Sequence, residues 1–451
     1  MPILTKISNQ PMNSKQRIIV SLIGVFIFGL ILRVQAVMLT EINNPVRADA
    51  KKYVLYAYNL KNFGVYTHSD LGVMGSPDKL KSDALVTPGY PLFLSFFVGN
   101  NFSEKHYHII LLTQALLSAL TVLFSYIIFA ELNRVLGLVV SFFVACSPHL
   151  ISLSTYLLTE TLFCFFLTGF LALCSRLKND SQRWLFFTTG ILLGLTTLTR
   201  PWTQAFTVIL LCLVVATFNY KRLLKPFWIL TGFMCVVTPW IIRNYIAVGM
   251  PTDTTLSFVS VHHGMYPDMM YNFMPESLGF PYRYDPWAQN TSLSSQVVLE
   301  ELLKRAKNNP WIYFNWYLWG KVKTVFSWDI LAGMGDVFIY PVIKTPYSDL
   351  LHFRISHLFI KTIHSVCVIF AIMATIMAWL PSARRIFFDR FLFTYRVLSL
   401  LMIYFIILHM IGAPFPRYSI PMRPIIYGMA VVMLVWFHAF FKSIRHQWAM
   451  R

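Results

Sequence analysis

In the stretch RADAKKYVLYAY, residues 47–58, Asp49 follows directly on a long apolar run. Glu160, Arg200 and Arg417 each stand between two apolar segments, and Arg243 closes another. Carboxylates accept hydrogen bonds and protons, and guanidiniums bind anionic oxygens in pairs. Two acids and three arginines at one site could therefore hold an anion and move a proton. Taken singly, each reads as an interfacial side chain snorkelling towards water. Ionisable groups near membrane depth are costly and usually face a cavity or a partner. Five of them in equivalent positions point to a shared polar site.

The elements that must position them are membrane helices. The chain has 451 residues, 56% hydrophobic and 13% charged, against about 25% charged in a soluble domain. Apolar segments near the roughly 20 residues needed to cross a bilayer recur throughout. Ten spans are predicted, at about 18–39, 107–130, 134–152, 158–175, 184–200, 202–219, 226–244, 356–380, 396–412 and 423–441. The first is too long for the apolar part of a signal peptide and reads as a retained anchor. The class is an all-α polytopic membrane protein, expected as one transmembrane domain over 1–451 without an internal repeat.

The net charge of +19 sits in short gaps between apolar runs: Lys15 and Arg17; Arg176, Lys178 and Arg183; Lys221, Arg222 and Lys225; Arg384, Arg385, Arg390 and Arg396; Lys442, Arg445 and Arg451. This is the pattern of cytoplasmic loops, and it argues for anionic lipid and against nucleic acid as the partner of the charge. Both termini are then cytoplasmic. External loops 40–106 and 245–355 share the opposite face with the short turns around Glu160, Arg200 and Arg417 and the end of span seven at Arg243, so the five ionisable positions lie on one face. Arg33, in the outer half of span one, reads as a snorkelling exception. Within the loops, helices are expected over Ala50–Phe63, ended by Gly64, and over Glu300–Trp319, interrupted at Pro310 and lying at the interface. Leu92–Val98 reads as a short helix dipping into the membrane. The six cysteines all fall in apolar segments without a CxxC pair, so buried, inert thiols are expected. His106-x-His108 lacks a nearby third ligand, and no metal site is assigned.

The order of several short motifs resembles the C-type (GT-C) superfamily of integral-membrane glycosyltransferases. The similarity is to bacterial relatives of the protein O-mannosyltransferases and of the lipid A aminoarabinose transferase. It is carried by Asp49 with Tyr53 and Ala57…Gly64; Pro88-Gly89-Tyr90-Pro91; Pro148 with Thr159-Glu160; Leu198-Thr199-Arg200-Pro201; Pro239-Trp240…Arg243-Asn244-Tyr245; and Arg417-Tyr418…Pro421. Thr87-Pro88-Gly89 stand where the aminoarabinose transferases have Lys-Pro-Pro, and little sequence follows span ten. Both departures count against a lipid A modifier.

The resemblance implies a GT-C fold and transfer of a sugar from a polyprenyl-phosphate donor to a hydroxyl acceptor, with inversion. The acceptor would be a glycan, lipid or protein. The site would face the outside of a bacterial inner membrane. Asp49 is then the catalytic base. Arg200, Arg243 and Arg417, with Arg47 as a fourth, would hold the donor phosphate. Tyr53, Tyr90, Tyr418, His262 and His263 would position donor or acceptor. Glu160 has two readings: a positioning group for the acceptor or a divalent metal, or a carboxylate favoured at a helix N-terminus. No cofactor is otherwise implied. Two other functions share the external arginines: a transporter or flippase of lipid-linked sugars, and a polysaccharide polymerase or ligase using a pyrophosphate-linked donor.

Overall fold

The computed structural model describes residues 14–70, 80–99, 103–178, 180–218 and 224–449. Lys221, Arg222 and Arg451 of the basic clusters lie outside them. Helices lie in all ten apolar segments: α1 (Ser14–Leu39), α4 (Glu104–Phe129), α5 (Arg134–Cys146), α7 (Thr159–Cys174), α8 (Arg183–Thr199), α9 (Phe206–Thr217), α10 (Leu224–Val248), α17 (Leu351–Met377), α19 (Asp389–Ile411) and α20 (Arg423–Ala449). Among the described residues, six helical stretches, Ser14–Leu39, Glu104–Phe129, Leu224–Val248, Leu351–Met377, Phe391–Ile411 and Pro416–Lys442, are long and apolar enough to cross a membrane. Three shorter ones, Arg134–Cys146, Thr159–Cys174 and Pro201–Thr217, are apolar.

Two further helices lie on the first long loop, α2 (Ala48–Phe63) and α3 (Gly89–Ser95), and α6 (Pro148–Leu153) follows α5. The second loop holds α11 (Thr255–Gly264), α12 (Pro286–Asn290), α13 (Ser295–Asn308), α14 (Pro310–Asn315), α15 (Lys321–Val325) and α16 (Pro346–Asp349); α18 (Ala383–Ile386) precedes α19. Strands β1 (Glu41–Ile42) and β2 (Val342–Lys344) pair antiparallel, Glu41 opposite Lys344, and tie the two long loops together.

Local chemistry sets these boundaries. Gly64 takes the left-handed φ of +68° that ends α2, and its N–H bonds to the Leu60 carbonyl, a geometry glycine adopts at little cost. Pro310 opens α14 after the break at Asn309, as expected. In the bundle, α4 lies against α1, α5 and α7, while α8 runs along α10 and α17 along α20. The α8–α10 seam is built on glycine: a Cβ on Gly190 would stand 2.0 Å from the Ile229 carbonyl oxygen. Small residues let helix backbones approach this closely where no hydrophobic force drives helices together.

Two expectations are corrected. Arg33 does not snorkel. It is fully buried, donating from Nε to Ser118 Oγ (2.7 Å) and from Nη1 and Nη2 to the Ala145 and Val144 carbonyls (both 3.0 Å). Those carbonyls belong to the last turn of α5, where that of Val144 also accepts the N–H of the capping Ser147, and a cation there complements the helix dipole. The thiols divide: Cys146, Cys164, Cys174 and Cys367 are buried, but Cys212 and Cys235 are exposed on the outward faces of α9 and α10.

Candidate active site

The site begins with a strained turn. Arg47 is extended, and Ala48, the first residue of α2, has φ +46°. An L-residue pays about 1–2 kcal/mol for that conformation, and strain of this kind gathers at functional sites. The residue it presents is Asp49. From the other side of the molecule, Pro416 and Pro421 hold residues Pro416–Met422 in a 3₁₀ turn that presents Arg417. Pro201 stops α8 at Arg200 and starts the 3₁₀ turn Pro201–Thr203. Gly89, opening α3, presses on the end of α8, where a Cβ would meet the backbone of Leu198 and Thr199 at 2.7 Å. Glu160 lies in the first turn of α7, where the helix dipole favours a carboxylate.

These four elements bring five of the expected residues together. Arg417 Nη2 donates to Asp49 Oδ2 at 3.0 Å, and Arg417 Nε donates to Glu160 Oε1 at 2.5 Å. Arg200 Nη1 lies 3.3 Å from the same Glu160 oxygen, but its orientation makes no hydrogen bond, and the atom is buried without a partner. The Arg200 guanidinium sits over the Tyr418 ring, 5.0 Å from its centre. The Glu160 side chain is fully buried, whereas the Asp49 side chain is 40% exposed. The cluster therefore has a closed end at Glu160 and an open end at Asp49. Burial pushes the Asp49 carboxyl up, but the charge and hydrogen bond of Arg417 outweigh it and hold the carboxyl below the usual aspartate range.

Around this core, Tyr53 meets Tyr90 edge-on at 5.3 Å. Tyr90 is fully buried and donates to Gln114 Oε1 at 2.6 Å, fixing α3 to α4. Arg47 lies over Tyr340 at 5.7 Å, and the Tyr340 hydroxyl donates to the Arg47 carbonyl. A cavity of about 630 Å³ opens beside the preceding loop, between the end of α1 and the start of α4; Val46, Glu104 and Tyr107 line it, and Asp49 and Glu160 do not.

Three expected residues stand apart from the acids. Arg243 is captured in a neighbouring cluster: its Nη1 donates to the Asp83 carbonyl (2.6 Å) and its Nη2 to the Tyr66 carbonyl (3.1 Å), between the rings of Tyr66 and Trp240. Asp83 in turn accepts from the Tyr56 hydroxyl, Thr67 Oγ1 and the His68 backbone N–H. Burial raises the Asp83 carboxyl, but the hydrogen bonds from Tyr56 and His68 outweigh it and hold it low. His262 faces the Tyr266 hydroxyl (3.2 Å), and His263 stacks on Tyr282 at 4.6 Å. His263 also meets Phe415 at 5.9 Å, and Phe415 meets Tyr418 at 5.6 Å, so the pair reaches the site only through two rings. Burial and the neighbouring His262 push His263 down to about 4.

Sequence reading missed Ala48, Lys52 and Tyr340. Lys52 adds positive charge that favours ionised Asp49, and its place one turn after Asp49 on α2 was a usable signal. Nothing in the sequence marked Ala48 as left-handed. Asp49 and Glu160 are spanned by a guanidinium, and no group of three or more His, Cys, Asp or Glu residues suited to a metal ion occurs among the described residues. As placed, these side chains do not fit a resident divalent metal.

Residues 90–266, less than half of the chain, match the sequence model of the dolichyl-phosphate-mannose-protein mannosyltransferases. Among solved structures, the chain is similar to the archaeal oligosaccharyltransferase AglB from Archaeoglobus fulgidus in complex with an inhibitory peptide and a dolichol-phosphate. That likeness has 14% identity and a TM-score of 0.52, over 96% of this chain and 52% of the other. The Archaeoglobus fulgidus oligosaccharyltransferase tethered to an acceptor peptide with an NVT sequon matches with the same identity and TM-score, over 96% and 51%. ArnT from Cupriavidus metallidurans, bound to undecaprenyl phosphate, aligns over 94% of this chain and 78% of its own at 11% identity and a TM-score of 0.41, a likeness that adds no weight. The chain spans about half the length of the archaeal structures it matches. No curated protein matches it at a significant level. The molecule is a multi-pass all-α membrane protein. Its fold is that of the C-type integral-membrane glycosyltransferases.

Proposed function

We propose that this protein transfers a sugar from a polyprenyl-phosphate carrier to a hydroxyl acceptor at the external face of a bacterial inner membrane, with inversion. The observation that carries the reading is the half-open cluster of Asp49, Arg417, Glu160 and Arg200. Asp49, at the open end, takes the acceptor's proton as its oxygen bonds to the anomeric carbon. A positioned carboxylate in this role contributes about 10²–10⁴-fold. The bond from that carbon to the phosphate oxygen breaks, and its electron pair leaves with the lipid phosphate. Arg200 and Arg417 stabilise the charge gained there, and the buried, unpartnered Nη1 of Arg200 is a donor held ready for an anionic oxygen.

Two carboxylates against two guanidiniums leave the cluster neutral, so binding an anionic donor requires further positive charge. Arg47 and Lys52 at the N-terminus of α2 supply it, together with that helix's dipole. Arg243 acts from its adjoining cluster, holding the backbone at Tyr66 and at Asp83. Glu160 fixes the two arginines at the distance the phosphate needs.

The matched mannosyltransferase family favours a monophosphate-linked donor. Purified protein in nanodiscs, given a panel of polyprenyl-phosphate sugars and hydroxyl acceptors, is expected to yield a glycosylated product by mass spectrometry. Passage of lipid-linked sugar across vesicles without any product would favour a flippase. Turnover of pyrophosphate-linked donors alone would favour a polymerase or ligase.

A further inference from the structure

The external segment between α11 and α15 carries a pocket of about 210 Å³, lined in part by Tyr266, Tyr271, Phe273, Arg305, Asn309 and Tyr313. Sites for drug-sized ligands run from about 300 to 1,000 Å³, so this one takes a single ring. Its wall is strained. Asp268, Met269, Asn272 and Phe273 have φ of +54°, +59°, +45° and +58°, four left-handed non-glycine residues within six positions. Such conformations persist only where the surroundings impose them. Here the Gly279 N–H bonds to the Met269 carbonyl (2.9 Å), and the Tyr271 N–H bonds to Ser277 Oγ (2.8 Å).

The chemistry of the lining selects the ligand. Arg305 is clamped by two carboxylates, donating from Nη2 to Asp285 Oδ2 and from Nε to Glu301 Oε1, both at 2.7 Å. Its guanidinium lies 5.2 Å from the centre of the Tyr266 ring, and the Tyr266 hydroxyl donates to Asp285 at 2.6 Å. The two acids are matched by Arg305 and by Lys304, 3.9 Å from Glu301, so this corner has no spare positive charge for a phosphate or a uronic acid. The tyrosine and phenylalanine rings offer apolar faces to the C–H face of a sugar. The exposed amides of Asn272 and Asn309 both donate and accept, matching hydroxyl groups. A chain of rings links the pocket to the candidate active site: Tyr266 meets His262, His262 stacks beside His263, and Phe415 and Tyr418 lead on to Arg200.

We infer that this pocket is a saccharide subsite for one neutral pyranose ring of a glycan acceptor. The inference rests on the transferase reading for what the glycan does, but its binding chemistry is tested separately. The probes are neutral methyl pyranosides, with a methyl glucuronoside as the anionic control. Protein in nanodiscs free of glycolipid is examined by saturation-transfer NMR. At least one neutral glycoside is expected to receive transfer on its ring protons, and the glucuronoside none. Tyr271→Ala and Asn309→Ala are expected to weaken that binding at least tenfold without changing the melting temperature or hydrolysis of the lipid donor by water. Absence of binding by every neutral glycoside, or equal binding by wild type and both variants, would overturn the subsite. Intact glycoside binding beside a wild-type protein that never turns over a donor would sink the transferase reading and leave the subsite standing.

Discussion

Arg33 and Arg417 are both arginines enclosed in a membrane protein, and their surroundings differ in kind. Arg33 gives its protons to neutral oxygens, three backbone carbonyls and a serine hydroxyl, so the group ends one helix and braces another. Arg417 gives its protons to two carboxylates, beside a second guanidinium with an unpartnered nitrogen. A charge satisfied by backbone is a structural device. A charge held among other charges, with an open side, is equipped for a charged substrate. Arg243 falls between the two: backbone carbonyls hold it, but next to the site.

The comparison breaks first at Arg417. Arg417→Lys keeps the charge and loses the fork that reaches both acids. Its kcat for sugar transfer is expected to fall about 10²–10³-fold, as when a transition-state donor is removed, while the melting temperature changes little. Arg33→Met should do the reverse. It strips the side-chain donors from the Val144 and Ala145 carbonyls and lowers stability by about 2–4 kcal/mol, with activity per folded molecule unchanged. Denaturation in nanodiscs beside initial rates measures both. If Arg33→Met slowed the chemistry as much as Arg417→Lys, the distinction would fail.

A smaller effect lies in pH. Because Arg417 keeps Asp49 below the usual aspartate range, the carboxylate persists as the medium is acidified past neutrality. A carboxyl whose folded value is depressed stabilises the fold above its unfolded value, about 3.9, and that stability is lost as pH falls through the folded value. Transfer should therefore stay level from pH 7 to about pH 5. In Arg417→Gln the burial remains without the counter-charge, so the acid limb of the pH–rate profile should move to higher pH. The smallest effect is expected at Ala48. Ala48→Gly relieves the left-handed strain and should raise stability by up to about 1 kcal/mol, with transfer nearly unchanged; Ala48→Val should lower both.

Much of this was legible from sequence. All ten predicted segments are helical, and among the described residues six of them hold stretches long and apolar enough to cross a membrane, because bilayer length and hydrophobicity act on contiguous residues. Gly64 and Pro310 ended helices by local chemistry. Asp49, Glu160, Arg200 and Arg417 were visible as charges at segment ends, and they meet. What stayed hidden depends on rotation and long-range contact. Arg33 and an interfacial arginine look alike along the chain, since only the azimuth of α1 decides whether the side chain meets α5 or lipid. Cys212 and Cys235 were misjudged for the same reason. Arg243 carries the same local signature as Arg200, but the carbonyls of Tyr66 and Asp83, far off in sequence, claim it. The left-handed Ala48 is imposed by what its neighbours bind, and no residue type announces it.

The central claim is that Asp49 takes the proton of the acceptor in the bond-forming step. Single-turnover transfer by Asp49→Asn in nanodiscs, with donor binding measured on the same sample, tests it most directly. The rate is expected to fall by about 10²–10⁴-fold while donor affinity stays within about threefold of wild type. Transfer at the wild-type rate, with the donor equally bound, would contradict it.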